Sequence, residues 1–343
     1  MHNFSHGWNR ESRAGYKGKQ GARQIMSSNF APVKARDSGQ LHLKRTAKRL
    51  LARHLQRVCR RVMRLAGNKG KRVERIHELR TELRRSEAAC KLFANFVPHG
   101  LTERIQQVLA RLRSMAGSVR DRDVLKLGLD EFDQKLSLEF RHWLKQQLHR
   151  TRERKLKGLI RYCRRITEQG FEVECRILID AIDWPKGNHN QIRKQFLFDA
   201  LDRIADPFLC AFQQLKQDEQ KFHQVRICGR RLRYTIDLLH DDLPESAGTQ
   251  IGDLLSKLQS WLGQAHDQTA LLQYIQRHAA KSTFSDASLT LLLESLEREH
   301  AASLQLWVRQ SIELGDQLPK LLDELTDNRL EATRLEDAAP PSS

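Results

Sequence analysis

The chain has 343 residues and is strongly basic, with 60 Lys and Arg against 42 Asp and Glu and a formal net charge of +18. Scarce glycine (18) and proline (8), with 30% charged residues, favour long helices over a sheet-rich fold. No segment has the roughly 18 apolar residues of a membrane span, and the six cysteines lack zinc-ligand or C-x-x-C spacing. We therefore expect a cytoplasmic protein with reduced cysteines, no cofactor and no membrane partner.

The two ends differ in charge from the middle of the chain. Residues 1–40 are basic, rich in Gly, Ser and Asn, and without periodicity, which predicts a disordered arm. The sequence leaves open whether translation starts at Met1 or at Met26. Residues 312–343 carry eight acids and three basic residues, which predicts an acidic C-terminal tail that is partly helical after a turn at 315–319.

Apolar periodicity between these ends predicts an all-α fold. The predicted helices span residues 41–66, 70–96, 101–116, 121–135, 139–168, 171–183, 190–216, 217–240, 247–262, 266–280 and 285–311. Pro207 should kink its helix or end it at residue 206. Asp121 and Asp267 follow Gly117 and Gly263 closely, so we expect both aspartates to be helix N-caps whose helix starts could offer backbone N–H groups to a phosphate.

One stretch of sequence occurs twice. The segment 76–85 (IHELRTELRR) returns 146 residues later as 222–231 (FHQVRICGRR). The same shift relates Leu112, Gly117, Asp121 and Leu125 to Leu258, Gly263, Asp267 and Leu271. A repeat of this length predicts two packed halves related by pseudo-symmetry, here 41–185 and 186–311, rather than a solenoid of short units.

Each copy of the repeat places cations opposite its apolar residues. At 100° per residue, His77, Arg80 and Arg84 share one side of their helix. The opposite side carries Leu79, Leu83, Cys90 and Phe93. In the second copy, His223, Arg226, Arg230 and Tyr234 lie opposite Val225, Leu232, Ile236 and Leu239. Two equivalent basic faces indicate an anion site, although a solvated face, or a histidine held by a carboxylate, would look the same in sequence.

Four blocks of residues in order resemble the CHAD family of all-helical proteins. They are His77-x-x-Arg80-x-x-x-Arg84-Arg85, Gly117-x-x-Arg120-Asp121, His223-x-x-Arg226-x-x-x-Arg230-Arg231-x-Arg233-Tyr234 and Leu262-Gly263-x-x-His266-Asp267. The resemblance implies two pseudo-symmetric four-helix bundles from an internal duplication, with a basic surface at their junction that binds inorganic polyphosphate. It implies binding roles for His77, Arg80, Arg84, Arg85, Arg120, His223, Arg226, Arg230, Arg231, Arg233 and Tyr234.

The chain departs from the family pattern at two positions. Glu87 stands where an arginine usually follows the first Arg pair, and His266 stands where an arginine usually precedes the second aspartate. We expect Glu87 to pair with a neighbouring basic residue such as Arg84 or Lys91. Many relatives also carry an N-terminal CYTH triphosphatase domain, and nothing in residues 1–40 resembles one.

Two other functions remain open at this stage. A phosphate-processing enzyme would be expected to show a Gly-rich phosphate loop or a compact carboxylate cluster, and the sequence shows neither. RNA or DNA could bind weakly through charge, but only 6% of residues are aromatic and few could stack on bases. We therefore expect a non-catalytic polyphosphate-binding protein that associates with polyphosphate granules.

Overall fold

In the computed structural model, the described residues are 39–67, 72–131, 136–183, 189–218, 221–240, 243, 245–280 and 287–324. Every regular element within these ranges is helical, which confirms the all-α prediction. The predicted basic arm up to residue 38, and the tail from 325 onwards, lie outside them. None of the described helices combines the length and apolar character needed to cross a bilayer.

The helices follow one another with short connections. They are α1 (Gly39–Gly67), α2 (Arg72–Leu92), α3 (His99–Glu131), α4 (Leu138–Glu168), α5 (Phe171–Asp180), α6 (His189–Gln217), α7 (Phe222–Leu239), α8 (Glu245–Ala279) and α9 (Ala287–Gly315). A 3₁₀ turn at Ala94–Phe96 follows α2, and residues 318–324 form a further helical segment. At the predicted break between α4 and α5, Gly170 has a φ of 79°, in the left-handed region that favours glycine.

Two predicted breaks are wrong, and both lie at glycines. Helix α3 runs without interruption past Gly117 and Asp121, and α8 does so past Gly263 and Asp267, so neither aspartate is an N-cap. The expected backbone N–H donors at these positions are therefore engaged within the helices. An interior glycine costs only about 1 kcal/mol relative to Ala, and apolar packing on both sides of each glycine outweighs that cost.

At Pro207, where a kink or an end of the helix was predicted, helix α6 continues and does not end at residue 206. Proline removes one backbone hydrogen bond from a helix, a cost that tertiary packing can offset. Here the next residue, Phe208, is fully buried, and its ring stacks on that of Phe212 with 5.9 Å between the ring centroids. Ala205 before the proline and Phe208 after it are buried in the same apolar core, and this packing on both sides offsets the lost hydrogen bond.

The main apolar core is shared by both halves of the chain. The stripe predicted for the repeated helices is confirmed, because Leu79, Leu83, Val225 and Leu232 are fully buried. Within the first half α2 packs on α1 and α3, and within the second α7 packs on α6 and α8. The halves meet where α2 contacts α7 and α3 contacts α8. In each of these pairs, the two helices correspond at the 146-residue shift.

A separate apolar cluster joins the far ends of the long helices, and we call it the satellite core. It contains Leu129, Leu136, Phe140, Leu144, Leu148, Leu271, Ile275 and Ala279. The first five come from α3, α4 and their connection, and the last three come from α8. The two halves are thus held together at two places along α3 and α8.

The fold extends beyond the predicted boundary at residue 311. Leu318 is fully buried, Leu322 is nearly so, and both belong to the main core. Asp316 forms an ion pair with Lys216 of α6 at 2.5 Å. The first part of the predicted acidic tail is therefore packed structure.

Candidate anion-binding cleft

A concave cavity of about 970 Å³ opens where the two halves meet, and we call it the junction cleft. Helices α2 and α7 form its centre, with walls from α3, α6 and α8. Nine of the predicted site residues line it: His77, Arg80, Arg84, Arg120, His223, Arg226, Arg230, Arg231 and Tyr234. The two copies of the sequence repeat therefore face one shared cavity.

The remaining two predicted residues lie outside the lining of the cleft. Arg85 is one position after Arg84, a rotation of about 100°, and its guanidinium lies 3.5 Å from the carboxylate of Glu82. Arg233 places its guanidinium over the ring of Tyr234, 5.3 Å from the centroid. Arg85 and Arg233 therefore do not line the cavity, although Arg233 contacts Tyr234 in its wall.

Three cations in the cleft were missed by the sequence reasoning: Lys91, Arg113 and Arg203. Lys91 follows Arg84 by seven residues, and Arg113 precedes Arg120 by seven, so each pair shares one helix face. Extending the helical wheel by two turns would have found both. Arg203 stands on α6, outside the blocks that repeat the histidine, and had no such signal.

The cleft has a large excess of positive charge. Nine Lys and Arg side chains line it, against the three carboxylates of Glu87, Asp121 and Asp267, which leaves a formal excess of six positive charges. Glu87 pairs with a basic side chain, as expected, but its partner at 2.8 Å is Arg113 on α3 rather than Arg84 or Lys91 on its own helix.

Only part of the remaining charge is neutralised internally. Arg80 lies 3.6 Å from Asp121. By contrast, Arg84, Arg226 and Arg230 form no hydrogen bond or ion pair with any residue that the structure describes. Their donors are therefore available to a ligand.

The arginines at the centre of the cleft repel one another. Burial, together with the neighbouring guanidinium groups, lowers the pKa of Arg80 to about 10 and that of Arg230 to about 9. The pKa of Arg226 is lowered mainly by burial, although Asp267 opposes the shift. Arginine nonetheless stays protonated at neutral pH, so these positive charges persist close to one another. An anion entering the cleft would relieve that repulsion.

Two histidines lie among these arginines. The rings of His223 and His266 are 5.2 Å apart between centroids. Burial and the surrounding cations lower the pKa of His223, and they lower the pKa of His266 to about 4. Both rings are therefore neutral at pH 7. Since His266 corresponds to Arg120 at the 146-residue shift, the second half contributes one fixed charge fewer at this position.

The carboxylate of Asp267 shows the opposite effect. It is accessible to water but enclosed by the cleft walls, and this burial raises its pKa although Arg226 and Arg120 lower it. Across the described residues, no three His, Cys, Asp or Glu side chains come close enough together to hold a metal ion. Chemically, the cleft offers several cationic hydrogen-bond donors to a ligand rich in anionic oxygens.

Comparison with known proteins agrees with this architecture. The family model for the CHAD domain matches residues 49–276. The fold is similar to the crystal structure of the CHAD domain from the plant Ricinus communis, with a TM-score of 0.60 and 18% identity, covering 83% of this chain and 97% of that chain. It is also similar to PptA from Streptomyces chartreusis, with a TM-score of 0.59 and 16% identity, covering 80% of this chain and 99% of that chain. No curated protein matches the chain.

Proposed function

Since this chain belongs to the CHAD family, we propose that it binds inorganic polyphosphate in the junction cleft and performs no chemistry on the polymer. The observation that carries this proposal is the excess of six positive charges in one cavity, with three central arginines unpaired within the described structure.

Polyphosphate suits the cleft better than other polyanions. It carries about one negative charge per phosphate and has no bases, so its binding depends on phosphate contacts and counterion release. The planar guanidinium group can donate to two phosphate oxygens at once. Arg84, Arg226 and Arg230 come from both halves, so a single bound chain would contact both copies of the repeat.

Nucleic acid is a weaker candidate because the cleft offers little for a base to stack on. Tyr234 contributes a phenol ring to the wall, and no Phe or Trp belongs to the lining among the described residues. Tyr234 is only 5% exposed, and its ring is covered by Arg233. RNA or DNA would therefore bind through its phosphates alone, without sequence preference.

The carboxylates in the cleft also favour binding over hydrolysis. Glu87 is paired with Arg113, and Asp121 lies beside Arg80, so two of the three acids are neutralised by arginines. A phosphoryl-transfer site needs carboxylates that can hold Mg²⁺ beside the phosphates. We extend the proposal to association with polyphosphate granules, where a non-catalytic binder would remain attached to the polymer.

Competition between polymers tests the proposed ligand. Labelled long-chain polyphosphate is bound to the protein and displaced by unlabelled polyphosphate or by single-stranded RNA of equal total charge. We expect polyphosphate to displace it at much lower concentration. Equal displacement by RNA would show a general polyanion site and overturn the choice of ligand.

A further inference from the structure

A second basic cavity lies between α3 and α4, with a volume of about 820 Å³, and we call it the α3–α4 groove. Its wall contains six cations and two carboxylates. The cations are Arg120, Arg122, Lys126, Lys145, Arg150 and Arg152, and the carboxylates are Asp123 and Asp130. The groove thus has a formal excess of four positive charges.

Ion pairs with both carboxylates form the floor of the groove. Arg152 donates from Nε to Asp123 at 2.5 Å, and both side chains are largely buried. Lys145 lies 2.5 Å from Asp130. The cations left over are Arg120, Arg122, Lys126 and Arg150. Of these, Arg122 also donates to the backbone carbonyl of Ser118 at 2.8 Å, which fixes the direction of its side chain.

The groove is joined to the junction cleft through Arg120. This residue lines both cavities, so the positive lining passes from one to the other along α3. A flexible polyanion that fills the junction cleft therefore meets further cations where it leaves the cleft on the α3 side.

The basic lining of the groove is absent from the corresponding part of α8. At the 146-residue shift of the repeat, Arg120, Arg122 and Lys126 correspond to His266, Gln268 and Leu272. The repeat therefore does not supply these three cations to the second half. The basic lining in one half alone gives the molecule a basic exit from the central cavity on that side.

We propose that the α3–α4 groove is a second polyphosphate subsite, which receives the part of a long chain that extends past Arg120. This inference rests on the proposed function, and it makes long-chain polyphosphate the preferred ligand. Once the junction cleft has localised one part of the polymer, the groove meets the rest at high effective concentration. A chain too short to reach beyond Arg120 gains nothing from the groove.

The test compares tripolyphosphate with long-chain polyphosphate. Lys126→Ala with Arg150→Ala removes two exposed groove cations that have no role in the ion pairs of the floor. Lys257→Ala with Arg277→Ala is the matched control, because these residues are exposed on α8 and line neither cavity. Thermal melting is recorded for each variant, so that affinity is compared between folded proteins.

We expect the groove variant to bind long-chain polyphosphate about tenfold more weakly and tripolyphosphate as the wild type does. The slope of log K against log salt for the long chain should become shallower by about 1.4, because each phosphate neutralised on a single strand contributes about 0.7 to that slope. Equally weakened binding of both lengths, or an effect no greater than in the control variant, would overturn the proposal that the groove is a second polyphosphate subsite. Failure of the wild type to bind either polymer would instead overturn the proposed function.

Discussion

Arg226 and Arg230 are predicted to weaken the ligand-free fold while they bind the ligand. Both lie in the cleft without an ion pair in the described structure, and both have a lowered pKa. The glutamine variants Arg226→Gln and Arg230→Gln remove the charge and keep much of the aliphatic stem. We therefore expect the double variant to melt at a higher temperature than the wild type when no polyphosphate is present.

The size of this effect follows from the lowered pKa of Arg230, which falls from 12.5 to about 9. At 1.36 kcal/mol per pKa unit, about 3.5 units correspond to an upper limit of about 5 kcal/mol. Water reaches the open cleft and screens the repulsion, which reduces the expected gain to about 1–2 kcal/mol. For a chain of this size, that gain raises Tm by a few degrees. The sign is fixed, because a depressed basic pKa means that the protonated form is disfavoured in the folded state.

Melting with and without long-chain polyphosphate measures both roles together. A ligand that binds only the native state stabilises it by RT ln(1 + [L]/Kd), so the wild type should gain more from polyphosphate than the variant. Removal of charge-assisted hydrogen bonds should weaken binding by at least about tenfold. Lys257→Gln, on an exposed part of α8, is the control. A variant that melts lower than the wild type and keeps its affinity would refute the reasoning.

Three further predictions concern pH, packing and catalysis. The pKa of His266 is lowered to about 4 in the folded protein, so protonation of this side chain favours the unfolded chain. The free energy of unfolding should therefore fall as the pH drops from about 6.5 towards 4. His266→Gln should reduce that loss. Bound polyphosphate should raise the same pKa above about 4, so affinity at constant ionic strength should increase as the pH falls towards 4, and a flat profile would contradict this. Gly315→Ala should lower the free energy of unfolding by about 1–3 kcal/mol, since its new Cβ meets the buried Phe212 ring. Gly252→Ala lies in open space within α8 and should raise that free energy by about 0.5–1 kcal/mol. Chemical denaturation measures both changes. Polyphosphate should keep its length on gels when it is incubated with the protein and Mg²⁺ or Mn²⁺, with or without ATP. Shortening of the polymer by the wild type, but not by His223→Gln, would indicate an enzyme.

The local sequence pattern predicted which helix faces would be apolar and which cationic. Leu83 and Arg84 are adjacent in sequence, yet one is fully buried in the core and the other lines the cleft, as the 100° step requires. That the two basic faces meet in one cavity was implied by the resemblance to the CHAD family, since the repeat alone does not say how the two halves pack. The same periodicity would have identified Lys91 and Arg113, had it been carried two turns further.

Other features depend on tertiary packing, which local signals do not report. Gly117 and Gly263 looked like breaks because glycine disfavours helix, but the cores on either side of them keep α3 and α8 continuous. The spacing along α2 pointed to partners for Glu87 on its own helix, whereas Glu87 pairs with Arg113 on the neighbouring helix. The α3–α4 groove forms because two helices lie next to each other. The spacing of residues along either helix does not predict which helix will be its neighbour.

The satellite core changes what the duplication means for the molecule. The part of the cleft lined by Arg120 and Asp121 on α3 and by His266 and Asp267 on α8 lies between the main core and the satellite core. Apolar contacts on both sides therefore oppose the mutual repulsion of the cleft cations. Leu129 and Phe140 from one half pack in the same cluster as Leu271 and Ile275 from the other. A single half, produced alone, would expose these side chains. It would also lose the apolar packing that holds the like charges of the cleft close together. Each half therefore depends on the other for its packing. The unfavourable electrostatic free energy of bringing the cleft cations together is offset by that packing when the chain folds.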